Sequence, residues 1–188
     1  MKAMFVRQSL DVDRLPVGRH VASGAVRGYY IDFREKTTEA TWPPEWFPWP
    51  GFHRFMGISQ WGLGCYERYL SEEGEEWLAA ALDAGQFIAD AQEPTGAWPE
   101  PKPPHTFKLD APWLSAMAQG QCSSLLTRLS LEMGSEELAA SAVRGLAPLR
   151  IATDRGGVAA TLDGGPFLEE YPTQPPSFVL NGAIFAAW

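Results

Sequence analysis

The sequence predicts a mainly α protein, an incomplete α/α barrel (toroid) of antiparallel helix pairs with a short β-hairpin near residues 157–171. Three observations predict it. Apolar residues recur at spacings of three and four through much of residues 53–150, which is the helical period. The helices so defined alternate between amphipathic faces and a nearly all-apolar one, and long loops join them, as in two layers of antiparallel pairs around an axis. Finally, Asp163-Gly164-Gly165 joins two short β-prone runs, a hairpin signal. With about two and a half helix pairs, the ring does not close within one copy. An unclosed ring exposes apolar surface, so association is expected.

The elements follow in chain order. Residues 1–51 read as an extended aromatic and proline-rich lead and 52–188 as the helical part of one domain. Within the lead, "YYIDFREKT" (29–37) alternates enough to predict a short strand. "TWPPEWFPWPGF" (41–52) holds too much proline for regular helix. It reads either as a wrapper laying aromatics over the core or as a stacking platform for sugar rings. From His53 the spacing of Ile58, Trp61, Cys65 and Tyr69 predicts the first helix, and Gly57, Gly62 and Gly64 permit close packing within it. A second helix is predicted over 74–92, with Trp77, Leu78, Ala81, Phe87, Ile88 and Ala91 as its stripe. The prolines of 93–112 break the pattern.

A third helix is predicted to start near Trp113 and to stop at Gly134, which suits the left-handed position after a helix. Ser135 caps a fourth, with Glu136 and Glu137 in the first turn and Leu138, Ala142 and Leu149 on one face. After the hairpin, Pro175 or Pro176 opens a fifth helix, and "SFVLNGAIFAAW" (177–188) is apolar enough to predict an inner, buried one. It carries no stop signal, so the chain reads as cut inside a helix.

Composition removes several classes of function. A net charge of −8 argues against nucleic acid as the main partner, since phosphate backbones are bound by clustered Lys and Arg. Cys65 and Cys122 are too few and too far apart for a disulfide framework or a zinc site and read as core thiols. His20, His53 and His105 lack ligand spacing, so neither a metal nor another cofactor is assigned. Lys102, His105 and Lys108 fit a solvated loop better than an anion-binding cluster. The start of the chain lacks the apolar stretch of a secretory signal and no window approaches a membrane span, which predicts a soluble segment of open localisation, a cytoplasmic one included.

"WLSAMAQGQ" (113–121), "GGVAATL" (156–162) and "EEYPTQPPSFVLNG" (169–182), together with the earlier "YYIDF" (29–33) and "QWGLGCYERYL" (60–70), resemble the C-terminal catalytic domain of D-glucuronyl C5-epimerases. The similarity runs in order along nearly the whole chain. The resemblance implies an α-helical barrel that inverts C5 of glucuronic acid residues in heparan-type chains to give iduronic acid. Its partner is a uronic-acid-containing polysaccharide. It implies Glu170 and Tyr171 as a catalytic pair, with two further tyrosines and a substrate-binding arginine beyond Trp188.

The chemistry accounts for such a pair. Removing the C5 hydrogen of a uronate makes a carbanion next to a carboxylate, so a base must lie against the C–H and hydrogen bonds or cations must support the enediolate. Inversion needs a proton donor on the opposite face. Glu170 serves as base or tunes Tyr171, whose phenol is a weak base at neutral pH unless its surroundings change that. Adjacent strand residues point to opposite faces, so Pro172 must break the alternation for both to reach one site. On spacing alone Tyr171 reads equally as a packed aromatic, and Glu169 and Glu170 as a solvated edge.

Gln119, Gln121, Glu169 and Asn181 are the candidate substrate contacts. Each glutamine could instead be a satisfied core amide, and Asn181 a tether between helix and hairpin. An epimerase, a uronate lyase sharing the first half of the chemistry, and a glycan-binding module without a complete acid/base set remain open. A chain ending at Trp188 is expected to have little epimerase activity by itself, and a homo-oligomer is expected from the unclosed edge.

Overall fold

A computed structural model describes residues 28–37, 40, 54–102 and 104–188. The proline-rich platform of 41–52, and with it most of the lead, lies outside the described residues. The described chain is mainly helical, with five α-helices and one small antiparallel sheet. The helices are α1 (Arg54–Leu70), α2 (Glu76–Asp90), α3 (Ala116–Met133), α4 (Glu136–Arg144) and α5 (Leu180–Ala187), and β1 (Ala159–Leu162) pairs with β2 (Gly165–Leu168) between α4 and α5.

Helix α3 is the hub. Every residue from Ala116 to Leu126 is buried, and α1, α2, α4 and α5 all pack on it. Its termini follow from local chemistry. Ser115 Oγ accepts from the Ala118 amide at 3.3 Å, and Gly134 at φ 65° closes the C-terminus. Ser135 then caps α4 by accepting from the Leu138 amide at 3.3 Å. Small residues set the helix spacing: a Cβ on Gly62 would meet Leu125 at 2.5 Å, and one on Gly120 would meet the Ala186 backbone at 2.6 Å. Cys65 and Cys122 are buried free thiols, as their spacing implied. Among the described residues, no helix is long and apolar enough to cross a membrane.

Several expected boundaries move. The strand expected over 29–37 is replaced by an irregular segment and a 3-10 turn, Arg34–Lys36. The reason is the destination of its backbone donors: the Tyr29 amide donates to the Glu67 carboxylate, and the Arg34 amide to Asp32 Oδ1 at 2.9 Å. A strand needs a neighbour for that ladder, and side chains take the donors instead. The third helix begins at Ala116 because Trp113 exchanges two backbone bonds with Glu100, at 2.7 and 3.1 Å. The fourth ends at Arg144, which places Leu149 in a separate 3-10 turn, Pro148–Arg150.

The fifth helix starts at Leu180, after the prolines, because Phe178 stands at φ 50°, outside helical backbone, in a turn whose Ser177 and Phe178 amides donate to Glu169. Nor is it buried all round: Gly182, Phe185 and Ala186 face inward, whereas Leu180 is 66% and Ile184 44% exposed.

Candidate active site

The site is assembled where the hairpin meets α3. The Glu169 amide donates to Val158 O at 2.8 Å and its carbonyl accepts from the Ala116 amide at 3.0 Å, so the end of β2 is tied to the first turn of α3. The chain leaves the strand at Leu168. Glu170 and Tyr171 lie in a bend, where the alternation that would separate their side chains no longer applies.

Glu169 is fully buried and holds the return of the chain: its carboxylate accepts from Ser177 Oγ at 2.6 Å, from the Ser177 amide at 3.0 Å and from the Phe178 amide at 3.0 Å. Such donors stabilise a buried carboxylate, as burial without them would be costly.

Glu170 is 4% exposed and lies against α5 at Gly182, where any side chain would strike its methylenes. The Tyr171 ring is half-buried and stacked between Phe107, at 4.1 Å and 11°, and Trp113, at 5.3 Å and 24°. Burial raises the Glu170 carboxyl above its ordinary range, and interaction with the Tyr171 hydroxyl opposes this. Tyr171 is pushed far above the ordinary phenol range, first by burial, then by the Glu170 charge and contact, then by the charge of Glu100. The resting pair is thus a neutral phenol beside a carboxylate with a strengthened affinity for a proton. That combination disfavours a free phenolate.

The family described as D-glucuronyl C5-epimerase C-terminus matches residues 92–188, just over half of the chain and all of this site. The chain belongs to that D-glucuronyl C5-epimerase family. A curated D-glucuronyl C5-epimerase of Caenorhabditis elegans is 35% identical over 137 residues, 71% of this chain and 22% of the relative. The chain therefore spans about a fifth of that relative's length.

The remaining expected site residues of this C5-epimerase domain are dispersed. Gln119 is fully buried: its Oε1 accepts from the Trp98 amide at 2.7 Å and its Nε2 donates to Gly145 O at 2.9 Å and Gly96 O at 3.2 Å. Its amide thereby stitches α3 to the α2–α3 loop and to the end of α4. Gln121 is also fully buried, and its Oε1 accepts from Gln60 Nε2 at 3.0 Å on the α1 side of α3. Asn181 is exposed on the first turn of α5. Lys102, His105 and Lys108 are exposed, in keeping with a solvated loop.

Phe107, which stacks on Tyr171, and Glu100, whose charge acts on it, were not legible as site candidates. Phe107 and Glu100 lie in a proline-broken loop without periodicity, so no spacing pointed them at Tyr171. Lys36 reaches Gln60 Oε1, and burial lowers its ammonium to about 8. Among the described residues no group of three or more His, Cys, Asp or Glu is placed to hold a metal.

Proposed function

We propose that the chain is part of a polysaccharide uronate C5-epimerase, converting D-glucuronic acid residues of a heparosan- or heparan-like chain to L-iduronic acid. The observation that carries this reading is the pairing of buried Glu170 with half-buried Tyr171 within the family-matched segment. As the C5–H bond breaks, the Tyr171 oxygen takes that proton while its own hydroxyl proton passes to a Glu170 oxygen, and the electron pair moves into the enediolate of the uronate. Reprotonation from the opposite face, by one of the further tyrosines that the family resemblance implies, forms the new C5–H bond. That tyrosine regains a proton from solvent as Glu170 releases its own, and in the reverse epimerisation it abstracts the C5 proton while Tyr171 donates to C5 and takes the Glu170 proton. The raised affinity of both groups suits this exchange, because a phenolate beside two carboxylates is short-lived. Glu169 shapes the turn that presents the pair, and Gln119 locks the helix beneath it. Asn181, exposed on the first turn of α5, is proposed to contact the polysaccharide, and Gln121, fully buried, to tie α3 to Gln60 of α1 instead.

The helix arrangement supports a partial α/α barrel. Helices α1, α3 and α5 form a contiguous row, and α2 and α4 back it. The exposed apolar side of α5 supports self-association, so a homo-oligomer belongs to this reading.

The test is C5 exchange. The chain, and the gene product that carries it, are incubated with non-sulfated and N-sulfated glucuronans in D₂O, and C5 deuterium and the iduronate signal are followed by NMR. Deuterium gain without a new double bond is expected, with Tyr171→Phe and Glu170→Gln each slower by about 10² to 10⁴. A new double bond would assign a lyase instead. Silence of the full gene product on every uronate polymer would favour a glycan-binding module.

A further inference from the structure

The bend that carries Tyr171 is closed by one hydroxyl. Ser177 Oγ lies 2.6 Å from Glu169 Oε2 and 2.8 Å from the Tyr171 carbonyl oxygen, so a single side chain joins the buried carboxylate to the backbone of Tyr171. A serine hydroxyl has one proton to donate, and both of these neighbours are acceptors. Each acceptor also has a backbone donor of its own. The Ser177 and Phe178 amides, at 3.0 Å each, serve Glu169, and the Thr173 amide, at 2.7 Å, serves the Tyr171 carbonyl. The hydroxyl thus adds no missing partner to either oxygen; it holds the two together.

We propose that Ser177 is a positioning residue of the proposed catalytic pair, whose hydroxyl fixes the Tyr171 peptide and through it the direction of the Tyr171 ring. Position is passed along a closed chain of contacts. Before the bend, the Glu169 carbonyl accepts from the Ala116 amide at 3.0 Å and is fixed on α3. After it, the Tyr171 carbonyl is held by Ser177, whose own amide is held by Glu169. The Tyr171 Cα lies between these two fixed points, and from it the ring reaches Phe107, at 4.1 Å, and Trp113, at 5.3 Å. Trp113 belongs to the same frame through its two backbone bonds with Glu100, at 2.7 and 3.1 Å. Without the hydroxyl, Glu169 keeps both amide donors and the turn survives, while the Tyr171 carbonyl loses its tie to that turn. A displacement of about 1 Å at a reacting group is enough to slow a reaction about 10²-fold.

The catalytic meaning of this inference rests on the proposed role of Tyr171, but its first test needs no substrate. With 3-fluorotyrosine at position 171 of the full chain, the stacked rings of Phe107 and Trp113 displace the ¹⁹F resonance from its solvent-exposed value. Ser177→Ala is expected to move that resonance toward the exposed value, and Ser177→Thr, which keeps the hydroxyl, to restore it. An unchanged resonance in the alanine variant, or a change that threonine does not reverse, overturns the proposal. Should the alanine variant not fold, the same probe is read in Ser177→Cys, which replaces the hydroxyl by a weak donor. A displaced resonance is expected there too, and an unchanged one overturns the proposal.

In the gene product that carries the chain, Ser177→Ala is expected to lower kcat for C5 exchange by about 10- to 100-fold, with KM within about twofold. Unaltered exchange, or a rise in KM alone, overturns the inference and leaves the epimerase reading standing. A displaced ring in a protein without C5 exchange removes that reading and leaves Ser177 as the residue that places Tyr171.

Discussion

At the scale of single residues, the interior of this protein is organised by carboxylates whose partners differ in number. Glu169 has three separate donors, whereas Glu67 is 1% exposed and takes the Tyr29 amide with its other oxygen lacking a hydrogen-bond partner. Burial, ahead of the opposing Tyr29 bond, raises Glu67 from 4.5 to about 7. Its protonated form is thus favoured in the folded state, so the associated stability is fully present below pH 4.5 and lost as pH rises through about 7.

Asp32 is shifted the other way, below 3.8. Burial opposes that direction, but bonds from Arg34 and the charges of Arg34 and Arg68 overcome it, and its loss of stability lies at lower pH outside the Glu67 window. Glu67→Gln is therefore expected to flatten the fall in Tm between pH 4.5 and 7, an effect on the order of 2 kcal/mol. Thermal melts of both proteins across that range check it, and parallel curves would count against a titrating Glu67.

At the scale of elements, the least secured helix is α5. It has eight residues, no side-chain cap, and a seat defined by Gly120 on α3 and by Gly182 against Glu170. So short a helix has little stability of its own and depends on this packing. Gly120→Ala puts a methyl into the Ala186 backbone. It is expected to release α5 while leaving α3 and α4 in place, at a cost of about 1–3 kcal/mol. Hydrogen exchange should show the amides of Ala183 to Ala186 losing about 10- to 100-fold of their protection, with those of Leu125 to Leu129 unchanged. Uniform loss across all helices would mean that α5 belongs to one cooperative unit with α3.

At the scale of the whole molecule, Leu180 and Ile184 of α5 and Trp188 after it, which also packs on Tyr30 at 4.8 Å, form an exposed apolar row among the described residues. Leu180, Ile184 and Trp188 recur four residues apart and are 66%, 44% and 66% exposed. Isolated apolar residues on a surface are ordinary, but a stripe of this kind marks a contact face. Sedimentation velocity is expected to show concentration-dependent association of the chain, with Ile184→Glu shifting it toward the monomer. A concentration-independent monomer in both would remove the homo-oligomer from the proposed function.

The sequence by itself determined the helices with strong period, the Ser135 cap and the Gly134 stop, the Asp163-Gly164 turn and the family, because each of these depends on residues within a few positions of one another. The polar glutamines of α3 were visible as anomalies in an apolar helix. Their partners, Trp98 and Gly145 for Gln119 and Gln60 for Gln121, came from other elements.

Only the tertiary structure decided that Tyr29–Thr37 would not be a strand, that Phe178 would stand at φ 50° with its amide on Glu169, and that Tyr171 would stack on Phe107 and Trp113. In each case the deciding contact joins separate segments of the chain. A buried donor or charge takes whichever partner the packing brings to it, and local spacing carries no record of that choice.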